Sequence, residues 1–199
     1  MDGRWRDPLV GQNLLVGVLA GVAHRVQLEL GVLAPARLGF APAPFIAAHP
    51  LTLAGPSALA GKILLVVTEA TQDALFGLLI LLFFRVVLRR TLLASGGFLA
   101  VFTVVHVFLL ELHPVLGWFI GLFWAALVLW LLTRLGVLAC IIMLLTTSLL
   151  RQSPLTTDFS AWYAGTGATA MAVVFAIAAF GFYTSQAGRP IFQAEPSAR

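Results

Sequence analysis

A chain of 199 residues, 60% hydrophobic and only 10% charged, with a mean hydropathy of +1.00, cannot coat a water-soluble globule with polar groups; an ordinary soluble domain carries about 25% charged residues. Its apolar content excludes disorder, and its single cysteine, Cys140, excludes a disulfide scaffold. The formal net charge of +4 is spread between apolar runs, which excludes a basic face for nucleic acid, and about 20 apolar residues per crossing leave room for five or six membrane spans and no soluble catalytic domain.

The fold class implied is all-α: a polytopic transmembrane helix bundle forming one integral-membrane domain over 1–199. The first span is expected over about 9–30. It follows Arg4 and Arg6, runs apolar from Leu9 to Ala23, and continues past His24 if Arg25 and Glu29 pair one turn apart at the interface. The basic start and the small triplet Gly21-Val22-Ala23 also have the form of a secretory signal peptide, but the continuation to Ala34 favours a retained span. Residues 31–57 hold five of the ten prolines (Pro35, Pro42, Pro44, Pro50, Pro56), a density that blocks a spanning helix. Apolar residues such as Phe40, Phe45 and Leu51 place this segment at the interface or folded back on the bundle.

Further spans are expected over about 59–84, 92–112, 115–132, 135–150 and 161–183. The second is followed by Arg85, Arg89 and Arg90, and the third ends at the corner Glu111-Leu112-His113-Pro114. With the N-terminus inside, the inner loops and tails collect Arg4, Arg6, Arg85, Arg89, Arg90, Arg134, Arg189 and Arg199, eight of the twelve basic residues, so both termini are expected in the cytoplasm. Trp118, Trp162 and Tyr163 fall at membrane edges. The pairs Gly17/Gly21 and Gly117/Gly121 let helices approach closely, and the Ala- and Gly-rich sixth span is expected inside the bundle.

Polar residues within an apolar span are expensive. Glu69 and Asp73 share a face of the second span, with Thr68 and Gln72 beside them, and a polar pocket of Glu69, Gln72, Asp73 and His106 is the candidate site, with Glu111 and His113 near its end. The blander reading puts residues 69–73 about ten positions into the span, at a wet vestibule where Lys62, Arg25 or the Pro-rich segment pairs with the acids. His24, Arg25 and Glu29 read either as a headgroup or ligand contact or as an interfacial ion pair. Arg85, Arg89 and Arg90 fit anionic lipid, although topology alone explains them. Cys140, alone in an apolar run, reads as inert core. No metal or cofactor is expected. The expected partners are the lipid bilayer and either a membrane protein or a second copy, with no nucleic acid.

Phe102-Thr103-Val104-Val105-His106 resembles the Phe-xxx-His element of CAAX-type intramembrane metalloproteases. The chain departs from that pattern: Glu69 is followed by Ala70, position 74 is alanine where the family has arginine, and His113 is followed four residues later by Gly117 instead of asparagine. Gly165, Gly167 and Ala170 have the spacing of a dinucleotide-binding loop but open a membrane helix, where small residues serve packing.

The blocks Arg6–Gly17, Leu155–Gly165 and Phe180–Phe192 resemble the polytopic membrane region appended to certain bacterial serine/threonine protein kinases. The resemblance implies a bacterial inner-membrane location and a cytoplasmic kinase domain ahead of the membrane part. This chain has no Gly-rich phosphate loop, His-Arg-Asp or Asp-Phe-Gly element. Kinase activity is therefore not carried over, and the chain is either the membrane fragment of a longer kinase or a stand-alone relative. The expected function is a non-enzymatic integral membrane module that anchors, senses or scaffolds. Its rivals are an intramembrane metal-dependent hydrolase built on Glu69, Asp73 and His106, and a small transporter or channel, for which the halves show no inverted repeat.

Overall fold

The computed structural model describes residues 7–37, 39, 56–110, 114–154, 156, 158, 160, 161 and 163–186. Among these described residues six helices form: α1 (Pro8–Arg37), α2 (Pro56–Leu88), α3 (Thr91–Leu110), α4 (Pro114–Arg134), α5 (Val137–Gln152) and α6 (Ala164–Ser185). The described residues include no strand. Hydrocarbon offers backbone groups no hydrogen-bond partner, and a helix satisfies them within itself. All but α5 contain a stretch long and apolar enough to cross a membrane. The result is the expected all-α polytopic bundle.

Proline marks three of the helix starts. Pro8, Pro56 and Pro114 each occupy a first helical position, where the missing N–H is no loss. Asp7 caps α1, its carboxylate accepting the Leu9 N–H at 2.9 Å. Two expected boundaries are corrected. α1 continues past residue 30 to Arg37 and takes in Pro35, whose ring is fully buried. α2 begins at Pro56 and runs on to Leu88, taking in Arg85, which was expected after the end of the span at residue 84. The Pro42, Pro44 and Pro50 segment, Glu111, His113, Trp162, Arg4, Arg6, Arg189 and Arg199 lie outside the described residues. Arg89 in the left-handed region (φ 52°) turns α2 into α3, and Gly136 (φ 90°) turns α4 into α5.

The centre of the bundle is α5, in which ten of sixteen residues are buried. α1 lies along it: a Cβ added to Gly17 would stand 2.7 Å from the Ala139 carbonyl oxygen, and one on Gly21 the same distance from that of Met143. Successive glycines meet successive α5 residues in the same order, so the two helices run parallel. Thr147 Oγ1 donates to the Gly21 carbonyl at 3.1 Å, tying them together. Gly11 meets Thr184 and Ser185 of α6, which is therefore antiparallel to α1. α4 runs antiparallel to α1 as well, with Gly31 against Ile120. Gly121 approaches Thr103 and Val107 to close the α3–α4 hairpin, and Gly117 is buried one turn earlier. α2 packs antiparallel to α5: Ile63 and Val66 line one small cavity with Leu149 and Gln152, and Ala74, a turn or two further on, shares a core cluster with Cys140 and Met143.

The expectation of an interior sixth span is corrected. α6 buries one stripe, Gly167, Ala170, Val174, Gly181 and Thr184, and exposes Phe175, Phe180, Phe182 and Tyr183. Its small residues fit it closely to α1 on one side only. One end of the bundle carries the start of α1, the α2–α3 and α4–α5 turns and the end of α6; the other carries Arg37, the start of α2 and the end of α5.

Substituting Gly17→Ala or Gly21→Ala forces a methyl group into an opposing backbone and should destabilise the detergent-solubilised protein by about 1–3 kcal/mol. Gly61→Ala and Gly96→Ala, which meet open space, should leave stability unchanged or raised by up to about 1 kcal/mol. Thermal unfolding followed by circular dichroism checks both.

Candidate functional site

The residues of the candidate polar pocket fall on two separate parts of the bundle. On α2 the inward stripe is Val66, Ala70, Ala74 and Leu81. Glu69 is half-buried at its edge, whereas Gln72 and Asp73 are exposed. Along the same exposed side, Leu65, Glu69, Gln72, Phe76, Leu79 and Phe83 follow one another at helical spacing, with Asp73 beside them. Because α2 starts at Pro56, Asp73 lies midway along the apolar stretch Ala60–Leu88, with about 20 Å of helix on either side.

Of the pairings in the blander reading, those with Lys62 and Arg25 do not form, and the Pro-rich segment between Arg37 and Pro56 lies almost wholly outside the described residues. Arg25 makes its ion pair with Glu29, one turn away on α1. Among the described residues no ion pair reaches Glu69 or Asp73. Thr68 and Thr71 are satisfied locally, their hydroxyls donating to the Leu64 and Val67 carbonyls at 2.9 and 2.7 Å.

His106 turns away from this face into the core. Its ring stacks on Trp124 of α4 (centroids 4.4 Å apart) and lies 5.4 Å from the ring of His24 on α1. Phe102 and Phe98 continue the stack one and two turns back along α3, with Phe102 5.5 Å from Trp124. His24, only 2% exposed, donates from Nδ1 to Gln27 Oε1 at 3.1 Å, and Gln27 Nε2 donates to the Ile120 carbonyl at 3.4 Å. α1, α3 and α4 are thus joined through two imidazoles and an amide. His106 Nε2 has no hydrogen-bond partner, and neither does Thr103 Oγ1 one turn earlier.

His24 is the residue that sequence reasoning missed as a core group, since Arg25 and Glu29 beside it read as an interface. The four-residue spacing of Phe98, Phe102 and His106 was the available signal for the column. Among the described residues, no three His, Cys, Asp or Glu side chains are grouped to hold a metal ion, so Glu69, Asp73 and His106 do not converge as the hydrolase reading requires. Cys140 is buried and free, packed in the α2–α4–α5 core. Gly165 and Gly167 begin α6, where Thr169 Oγ1 donates to the Gly165 carbonyl at 2.8 Å. Between α5 and α6, Asp158 accepts the Ser160 hydroxyl and N–H at 2.6 and 3.0 Å, which hold its carboxyl below the usual range. Arg85, Arg89 and Arg90 are exposed at the α2–α3 turn.

The two histidines should respond differently to an apolar ring. His106→Phe removes an unpartnered buried nitrogen and should leave thermal stability unchanged or higher. His24→Phe strands the Gln27 amide and should cost about 1–3 kcal/mol. The same melting measurement on the two variants distinguishes them.

No protein family, curated protein or solved structure matches this chain.

Proposed function

We propose that this protein is a non-enzymatic scaffold of the bacterial inner membrane that holds another membrane protein against the exposed face of α2. The observation that carries this reading is the outward position of Glu69, Gln72 and Asp73 at mid-depth of an apolar helix. An ionised carboxylate at the centre of a spanning helix costs about 2.5–3.5 kcal/mol on insertion scales, and such groups ordinarily face a bundle interior or another charge. Inside this bundle the described basic side chains leave them unpaired. The charge complementary to the ridge is a Lys or Arg near the middle of a partner's transmembrane helix, with Leu65, Phe76, Leu79 and Phe83 packing around it. A second copy meeting the same face would set carboxylates against carboxylates.

Sidedness fits this role. Arg85, Arg89, Arg90 and Arg134 gather at the end of the bundle where α1 starts and α6 finishes. Basic residues favour the cytoplasmic side, which supports cytoplasmic termini. The resemblance of the chain's ends to kinase-appended membrane regions is in keeping with a module that retains a signalling partner at the bilayer.

The test uses the labelled protein in phosphatidylcholine vesicles with two synthetic Leu-rich spanning helices, one bearing a central Arg and one without it. Energy transfer should show the Arg helix bound at least about tenfold more tightly, a difference of about 1.4 kcal/mol, and Glu69→Gln with Asp73→Asn should abolish the preference. Equal binding of both helices, or pairing of the protein with itself through α2, would overturn the reading.

A further inference from the structure

The α4–α5 turn stops short of the bundle end on which it lies. Gly17 faces Ala139, so Leu15 of α1 is level with Val137, the first residue of α5, and α1 begins seven residues earlier at Pro8, about 10 Å further out. Val66 of α2 lines one cavity with Leu149, so Leu78 is level with Val137, and α2 continues ten residues to Leu88, about 15 Å further out. Arg134 therefore ends α4 at the floor of a recess, with Arg85, Arg89 and Arg90 on the α2–α3 wall above it, all four exposed. Val86, Val87, Leu92 and Leu93 are exposed up to the α2–α3 turn itself. Apolar side chains at the tip of the wall place it at the outer edge of the lipid headgroups, and the floor at their inner edge. Among the described residues Arg134 has no ion pair, and Asp7 is the only acid at this end.

We infer that this recess seats an anionic phospholipid, its phosphate on Arg134 and the outer part of its headgroup among Arg85, Arg89 and Arg90. A guanidinium at the inner edge of the headgroups needs an opposite charge or water, and a phosphate gives it two parallel charge-assisted hydrogen bonds. The helix ends at this turn do not oppose an anion. The Leu131 carbonyl accepts the Leu135 and Gly136 N–H groups at 2.9 Å each, and the negative end of α4 is met at once by the positive start of α5. Trp130, one turn before Arg134, and Leu138, in the first turn of α5, are exposed and give the acyl chains an apolar wall, which free phosphate would leave uncovered. The three arginines above the floor select the headgroup: they repel the ammonium of phosphatidylcholine and accept an uncharged glycerol or a second phosphate. Four basic residues are the smallest cluster expected to hold anionic lipid at a helix end. The α2–α3 arginines alone fall one short, and Arg134 is the fourth. This seat is separate from the α2 partner face, since Asp73 lies about 18 Å along the helix from Arg85.

Native mass spectrometry of the wild-type protein, purified in neutral detergent and offered equimolar phosphatidylglycerol and phosphatidylcholine, tests the seat directly. One phosphatidylglycerol should be retained with at least about tenfold preference, and millimolar inorganic phosphate should leave that preference unchanged. Arg134→Gln should weaken the preference at least about fivefold, more than the double replacement Arg89→Gln with Arg90→Gln, because the floor arginine holds the phosphate. A diffuse basic surface gives the reverse order, two lost charges outweighing one. Equal retention of the two lipids, displacement by inorganic phosphate, or a loss from the double replacement at least as large as that from Arg134→Gln would overturn the proposal.

Discussion

Backbone-to-backbone approach between α1 and α5 is the contact on which the rest of the bundle depends. In lipid there is no hydrophobic drive to bring helices together, so association rests on close van der Waals packing and interhelical hydrogen bonds. Gly17 and Gly21 supply the first and Thr147 the second. With α1 seated there, its other faces position α6 through Gly11 and α4 through Gly31, and α2 closes the remaining side of α5. This enclosure also explains how a 16-residue helix serves at the centre: at about 24 Å it is short for a bilayer, but its neighbours shield it along its length.

The polar residues then sort by environment. Thr147, His24 and Gln27 are buried and paired across helices, and they fix the relative positions of α1, α4 and α5. Gln72 and Asp73 are turned outward, with Glu69 half-buried beside them, midway along the apolar stretch of α2. Lys62 and Gln152 are buried at one end without a described counter-charge. The first group is structural. The other two have no ion-pair partner among the described residues.

Much of the architecture was legible as runs of apolar residues, because a membrane span has to be apolar along its whole length. The boundaries were less so, since proline both breaks helices and opens them: Pro56 starts α2, and Pro35 is absorbed into the last turn of α1. The Gly17/Gly21 spacing announced close packing but not its partner. α6, rich in alanine and glycine, looked like the interior helix; α5, with its threonines and larger apolar side chains, holds that place. The shared face of Glu69 and Asp73 followed from their spacing. Its direction did not, because α2 is apolar on every side and gives no periodic signal of which face is inward. The pairing of His106 with His24 was hidden for a different reason, being a contact between residues 82 positions apart with no periodic trace in either helix.

The account stands on α5 crossing the membrane within the bundle, which puts its two flanking turns on opposite sides of the bilayer. Single cysteines placed at the exposed Arg134 and Ser160 positions, with Cys140 buried and unreactive, can be challenged with a membrane-impermeant maleimide in sealed inside-out and right-side-out vesicles. Labelling of Arg134→Cys only from the cytoplasmic side and Ser160→Cys only from the other is the result the account predicts. Labelling of both from the same side would contradict it.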